Sequence, residues 1–376
     1  MENKGIYIHI PFCRKKCNYC DFFLVTNLDL INIFIKSLIK EIQLSAKKLK
    51  DDKFDSIFFG GGTPSLLTAE TIGLILNSIR THLNISELSE VSIESNPEDF
   101  LIDKKKLSEF KDVGINRLSI GIESFINKEL KFLSREHSFD NIEKVLTDAV
   151  KIFKNISIDL VYSLPSQKID DILYNLNKAI EFNIPHISAY TLIYEPETIL
   201  YKDLKQKKFI RNDDNYEFLL YNTLNDFLNN HNYEHYEVSN YAKPGYESRH
   251  NLKYWEYIDY IGFGPSSHSF YMGERWNNVN NIIKYINKLN KDTLPSENHK
   301  ILTENESMLE YTMLGLRAKG IDVEKFNNLY KINFFEKFHT SIETLIEEKF
   351  AYLKNNRLML TEKGYAVADE IVSRFF

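Results

Sequence analysis

Short apolar runs alternate with helix-length amphipathic stretches from Gly5 to about Glu195. Apolar runs at Gly5–Ile10, Ser56–Phe59, Glu90–Glu94, Arg117–Ile122, Ile156–Val161 and His186–Leu192 predict strands. The stretches Asp29–Lys50, Thr68–Leu83, Phe139–Phe153 and Asp170–Phe182 predict helices between them. A succession of six β-then-α units implies an α/β fold with a parallel sheet, either a partial or full barrel or a doubly wound sheet.

The two phases of each strand differ. Ile6, Ile8 and Ile10 share one side of the first strand, and Tyr7 and His9 the other. Val91 and Ile93 oppose Ser92 and Glu94; Ile120 and Ile122 oppose Ser119, Gly121 and Glu123; Ile156, Ile158 and Leu160 oppose Ser157 and Asp159. Because side chains alternate along a strand, one face is aliphatic and suited to packing under helices. The other is polar, with carboxylates near the strand ends. A sheet buried on both sides reads apolar in both phases, so the polar phase predicts the lining of a cavity, with its acids where barrel enzymes place chemistry.

The rhythm changes after Glu195. Asp213–Asn230 predicts a helix, and an aromatic, turn-rich stretch follows from Tyr233 to Trp276. From Thr303 onward helical patterns surround a hairpin-like piece near Tyr352–Leu360. Three regions are expected: a barrel core over 1–200, an aromatic-rich extension closing the barrel mouth over 201–300, and a small C-terminal α+β unit, helical or winged-helix-like, over 301–376. Seven basic and seven acidic residues cancel from Lys331 to the end, which argues against nucleic acid as a partner.

Composition narrows the class. The 376 residues are 43% hydrophobic and 27% charged, with a net charge of −6, as expected of an ordinary globular protein without a nucleic-acid footprint. No apolar run approaches a membrane span, and the start MENKGIYIHI lacks the make-up of a signal peptide. The three cysteines sit together as Cys13-x3-Cys17-x2-Cys20 with none elsewhere. That excludes a disulfide framework and fits a reducing, cytoplasmic setting.

Thiolate-rich sites select zinc or iron–sulfur. Zinc needs a fourth ligand, and His9 is not at a common zinc spacing. An iron–sulfur cube normally takes four thiolates, so three leave one iron open to a ligand. Gly60-Gly61-Gly62-Thr63-Pro64 follows the second strand; glycine admits close approach of a ligand, and its amides can bind carboxylate or phosphate. Taken alone it is equally a tight turn. Glu94, Glu123, Arg135 and Asp159 fall on or just after successive strands. Singly each is an ordinary salt-bridging residue; together they suit a cationic, ribose-bearing molecule, with Arg135 able to grip its carboxylate. His250-Asn251-x-x-Tyr254-Trp255 lies in the aromatic stretch beside Tyr241, Tyr246, His268 and Trp276. Histidine can ligate heme iron and aromatic walls suit a macrocycle, although a loop packed over the barrel is the plainer reading of those residues.

The cysteine triplet with Tyr19 before its last member, followed by GGGTP, resembles the radical S-adenosylmethionine superfamily. More narrowly, IYIHIPFCRKKCNYCDF, FFGGGTPSLL, IESNPE, GINRLSIGIESF, IDLVYSLPSQ, ISAYTLIYEPET and YEVSNYAKPGYESRHNLKYW resemble the oxygen-independent coproporphyrinogen III oxidase group, in order along nearly the whole chain, as does the late GLRAKGID. The resemblance implies a partial (β/α)6 barrel and a 4Fe-4S cluster on Cys13, Cys17 and Cys20. It also implies S-adenosylmethionine chelated to the open iron and reductively cleaved by an electron from a donor. By motif match, Tyr7, Tyr19, Gly61, Gly62, Thr63, Glu94, Glu123, Arg135 and Asp159 would contact S-adenosylmethionine. Glu123 is a departure, since the oxidases carry Gln there.

The group holds decarboxylating oxidases and a sister branch of heme chaperones. The oxidases add a fourth cysteine at the position of Phe22 and a longer N-terminal extension; CNYCDF and HNLKYW resemble the chaperones. The resemblance therefore implies a carrier that binds heme, with His250 as the motif-matched heme contact, and delivers it to acceptor proteins. It does not imply the decarboxylation, and the oxidase, or another radical enzyme acting on a tetrapyrrole, is the alternative. A zinc-structured binding module is a third. No catalytic residue, acceptor or oligomeric state follows from the sequence, and a homodimer is compatible with it.

Overall fold

The computed structural model describes residues 2–375. Its main sheet is built on six consecutive parallel strands: β1 (Lys4–Ile10), β2 (Lys53–Gly61), β3 (Asn84–Ser95), β4 (Arg117–Glu123), β5 (Asn155–Tyr162) and β6 (His186–Thr191). The strand phases decide how this sheet is covered. Ile6, Ile8, Ile10, Ile57, Phe59, Ile93, Ile120 and Ile158 are completely buried in one core. Each such apolar side chain contributes about 1.5–3 kcal/mol on burial.

The helices Ile31–Leu49, Ala69–His82, Phe139–Ile152 and Ile169–Glu181 supply the facing apolar stripes. Thr68 caps the second of these by accepting the Thr71 amide, and Ser138 and Asn141 form a capping box on the third. Short helices at Pro97–Ile102, Lys106–Asp112 and Asn127–Phe132 break the connections after β3 and β4; they are too short to show an amphipathic period in sequence.

The sheet is open, with these six strands in the order β1-β2-β3-β4-β5-β6 and further strands beyond β1 and β6, a partial barrel extended at both edges. The extension strands are β7 (Glu234–Glu237), β8 (Asn240–Ala242), β9 (Tyr260–Phe263), β10 (His268–Tyr271), β11 (Glu274–Asn278) and β12 (Ser296–Ile301). β8 adds antiparallel to β6, and β9 adds parallel to β1. Glu41, buried on the first long helix, ties this second edge down: it accepts the Gly264 amide at 2.9 Å, Asn278 Nδ2 at 2.6 Å and the Tyr285 hydroxyl at 2.5 Å.

One part of the aromatic stretch lies away from the mouth. Its helix, Arg249–Trp255, packs at the opposite end, under the starts of β1 and β2. There His250 meets Ser56 Oγ at 2.9 Å, and Glu90 accepts the amides of Arg249 at 3.3 Å and His250 at 3.2 Å. A Cβ on Gly5 would come within 3.1 Å of the His250 ring and of the Lys253 side chain, so any larger residue there would have to push these side chains aside.

The C-terminal unit has its own core around Leu316, Ile321, Phe326, Phe334, Leu345 and Leu358. Its sheet, β13 (Ile321–Asp322), β15 (Arg357–Leu360) and β14 (Ala351–Lys354), and its surrounding helices give the winged-helix-like arrangement.

Candidate cofactor site

At the C-terminal ends of the parallel strands a cavity of about 580 Å³ opens, and Cys13, Cys17 and Cys20 all line it. The loop carrying them is fastened at several points. Val25 donates to Pro11 O at 2.7 Å and Cys13 to Val25 O at 3.2 Å. Arg14 pairs with buried Asp99, and Asn18 Nδ2 donates to Phe132 O at 2.8 Å. All three thiols are free. Burial pushes the Cys13 thiol up to about 11 and raises Cys20 as well.

Among the described residues no three His, Cys, Asp or Glu groups close on one point as a single metal ion requires. A four-iron cluster takes its thiolates on separate irons. Three free thiols lining one cavity are a donor set that such a cluster accepts.

The glycine turn works differently from the sequence expectation. Its amides are not free for a ligand. Gly61 donates to Glu94 Oε2 at 3.0 Å, Gly62 to Ile10 O at 2.8 Å and Thr63 to Phe12 O at 2.8 Å. A Cβ on Gly62 would lie 2.6 Å from Phe12 O, and Gly61 has φ +111° with the His9 ring pressed against it. Glycine here brings the turn against the start of the cysteine loop. Thr63 Oγ1 then sits 3.2 Å from Cys13 Sγ.

Glu94, Glu123, Arg135 and Asp159 converge on the same cavity, with Tyr19, Gly61, Gly62 and Thr63. Arg135 Nη2 donates to Asn96 Oδ1 at 2.8 Å and Gly121 O at 2.7 Å, while Nη1 lies 3.7 Å from both Cys17 Sγ and Glu123. Burial opposes the Arg135 charge, but Glu123, Tyr19 and Cys17 around it hold it protonated. Glu123 follows a bulge in β4 and has φ +62°, a conformation costing a non-glycine residue about 1–2 kcal/mol. Burial pushes both Glu94 and Asp159 up to about 7, with Asp159 adding to the shift at Glu94 and Glu123 adding to that at Asp159. Asn96, which also donates to Thr63 at 3.3 Å, was not singled out from the sequence; its place two residues after Glu94 in IESNPE was the available signal.

Two expected residues lie elsewhere. Tyr7 and His250 line a smaller chamber beneath this cavity, which shares only Glu94, Asp159 and Tyr190 with it. The Tyr7 hydroxyl is 3.0 Å from His9 Nδ1. His250 is fully buried, stacks on Phe58 with centroids 5.3 Å apart, and engages both ring nitrogens, Nδ1 with Ser56 Oγ and Nε2 with Tyr254 Oη at 2.8 Å. Burial, reinforced by Lys253 and Arg117, pushes it down to about 3, so it is neutral. Apolar side chains lining the cysteine-bearing cavity include Phe22 and Ile193, 69% and 65% exposed, and Leu24.

Comparison with known proteins gives consistent relatives. The Radical SAM superfamily model matches residues 7–179 and the HemN C-terminal domain model residues 302–367. Heme chaperone HemW of Lactococcus lactis subsp. lactis is 33% identical across 98% of this chain and 96% of its own length. Heme chaperone HemW of Bacillus subtilis is 32% identical across 99% of each. Among solved structures, coproporphyrinogen III oxidase (HemN) from Escherichia coli, a radical SAM enzyme, superposes with a TM-score of 0.83 over 100% of this chain and 90% of that one, at 21% identity. At that identity the likeness speaks for the fold.

Proposed function

The chain belongs to the HemW family of radical SAM proteins, and from that premise we propose that it is a cytoplasmic heme chaperone that binds a 4Fe-4S cluster and S-adenosylmethionine and hands heme to acceptor proteins. The observation that carries the reading is the likeness to heme chaperones along nearly the full length of both chains. Two features agree with it: Phe22 stands where the oxidases carry a further cysteine, and no helix among the described residues is long and apolar enough to cross a membrane.

In this reading Cys13, Cys17 and Cys20 hold the cluster, which supplies one-electron chemistry when bound. Arg135, fixed by Asn96 and Gly121, takes the carboxylate of S-adenosylmethionine. Glu94 and Asp159 face its hydroxyl and ammonium groups. Gly61, Gly62 and Thr63 shape the wall and Tyr19 covers it, while Tyr7 lines the chamber below. Phe22, Leu24 and Ile193 offer an apolar surface for a flat macrocycle. For His250 to bond heme iron, one of its hydrogen bonds must break and its helix must leave the floor. An electron donor for the cluster and a heme acceptor are the partners this function needs.

The test is a visible-spectrum heme titration of anaerobically reconstituted protein of verified iron and sulfide content, followed by transfer to an apo-acceptor. A saturable, stoichiometric heme spectrum and its transfer are expected. Anaerobic conversion of coproporphyrinogen III to protoporphyrinogen by the same preparation, with S-adenosylmethionine and reductant, would overturn the carrier reading in favour of the oxidase.

A further inference from the structure

The chamber beneath the cofactor site holds a cation that neither the cluster nor S-adenosylmethionine explains. Its volume is about 180 Å³, and Tyr7, Phe58, Tyr190 and Tyr254 form much of its wall. Arg117, the first residue of β4, lines it and is only 2% exposed. Among the described residues no hydrogen bond or ion pair reaches its guanidinium, and its Nε is a buried donor without an acceptor. Burial pushes the Glu94 and Asp159 carboxyls on the same wall up while Arg117 pulls them back down, so its charge is answered at a distance, and a buried guanidinium without a hydrogen bond is costly.

The surroundings leave that charge facing the chamber. His186 has both ring nitrogens engaged, with Ser157 Oγ and Tyr236 Oη at 2.7 Å each, as His250 does with Ser56 and Tyr254. Burial keeps both imidazoles neutral. The acids on the chamber wall are Glu94 and Asp159, which separate it from the upper cavity. Glu94 is turned to the Gly61 amide, and Asp159 accepts from Ser119 Oγ at 3.4 Å. Burial pushes both up to about 7 against the pull of Arg117, so near neutral pH the two carboxyls together carry less than two full charges. The hydroxyls of Ser119 and Ser188 lie on the same wall, both engaged with Asp159.

We propose that this chamber binds the carboxylate of a short aliphatic acid, with Arg117 as its anchor. A guanidinium presents parallel N–H groups that match a carboxylate, and the aromatic walls suit an organic chain better than an inorganic ion. The volume corresponds to about six waters at ~30 Å³ each. That is right for a short acid and too small for a tetrapyrrole or an adenosine. The acid can be a free molecule, or it can be an arm of a larger ligand reaching past Glu94, Asp159 and Tyr190. The second source rests on the heme reading, because heme carries propionate arms; the first does not.

Calorimetric titration of cluster-replete protein with sodium propionate, and with propionamide as the neutral isostere, tests the free-acid source. A free acid predicts propionate binding about tenfold or more tighter than propionamide (~1.4 kcal/mol), a preference lost in Arg117→Gln and partly kept in Arg117→Lys. Heme against heme dimethyl ester tests the second source. An acid arm predicts no propionate binding, but heme held about tenfold tighter than its ester, with the gap closing in Arg117→Gln. Wild-type protein that distinguishes neither pair overturns the proposal without reference to any variant. A preference of either kind that persists in folded Arg117→Gln overturns it too. Protein that binds no heme at all sinks the chaperone reading, while the propionate comparison still decides this one.

Discussion

Replacing His250 by alanine separates a floor clip from a heme ligand. The imidazole bridges Ser56 on β2 and Tyr254 on its own helix, and it stacks on Phe58 with no solvent exposure. Alanine removes two hydrogen bonds at about 1 kcal/mol each. It also leaves a void of roughly 60 Å³, which at ~24 cal/mol per Å³ costs about 1.5 kcal/mol. The loss is therefore about 3–4 kcal/mol, or a melting point roughly 5–10 °C lower for a unit of this size. Glutamine, able to reach one of the two partners, should recover part of it. Thermal unfolding in anaerobic cells, followed by circular dichroism and by cluster absorbance, measures the loss. A melting point within about 2 °C of wild type would refute the locked floor. Heme titration of the same variant is the second readout: an unchanged heme spectrum removes His250 as the heme contact.

Three further outcomes are expected. Serine at Cys13, Cys17 or Cys20 should abolish the broad absorbance near ~400 nm together with bound iron and sulfide; a variant that keeps full iron content refutes the ligand set. Arg135→Lys loses the fork that holds Asn96 and Gly121, so S-adenosylmethionine binding measured by equilibrium dialysis should weaken about ten- to hundredfold; equal binding counts against Arg135 as the carboxylate grip. Burial pushes Glu41 up from 4.5 to about 7 in the folded chain, so the folded state keeps a proton that the unfolded chain has lost. Stability should fall as pH rises from about 4.5 to about 7 and then level off, by ~3 kcal/mol. Glu41→Gln lacks this dependence. Its melting point relative to wild type should rise by several degrees between about pH 5.5 and 8.5, and a gap independent of pH refutes the assignment.

The β/α rhythm, the strand phases and the cysteine loop were legible in the sequence because each is a local property. Alternation along a strand and the period of a helix are set by neighbours a few residues apart. The polar phase of β3, β4 and β5 therefore announced Glu94, Glu123 and Asp159 as cavity residues. The spacing of Cys13, Cys17 and Cys20 announced their shared wall. Family resemblance added Arg135, which no periodicity singles out.

What the sequence left open depends on contacts between distant segments. The helix bearing His250 joins Ser56, 194 residues away, and no local pattern distinguishes a helix at the barrel floor from one at its mouth. The amides of Gly61, Gly62 and Thr63 look available in sequence, but the chain at Ile10–Phe12 folds back onto two of them and Glu94 accepts the third. Arg117 reads as an ordinary strand-end charge. That it stands buried with its Nε lacking an acceptor follows from which residues β3, β5 and β6 place around it. Local periodicity determines which face a side chain takes; only the packing of distant strands determines what that face meets.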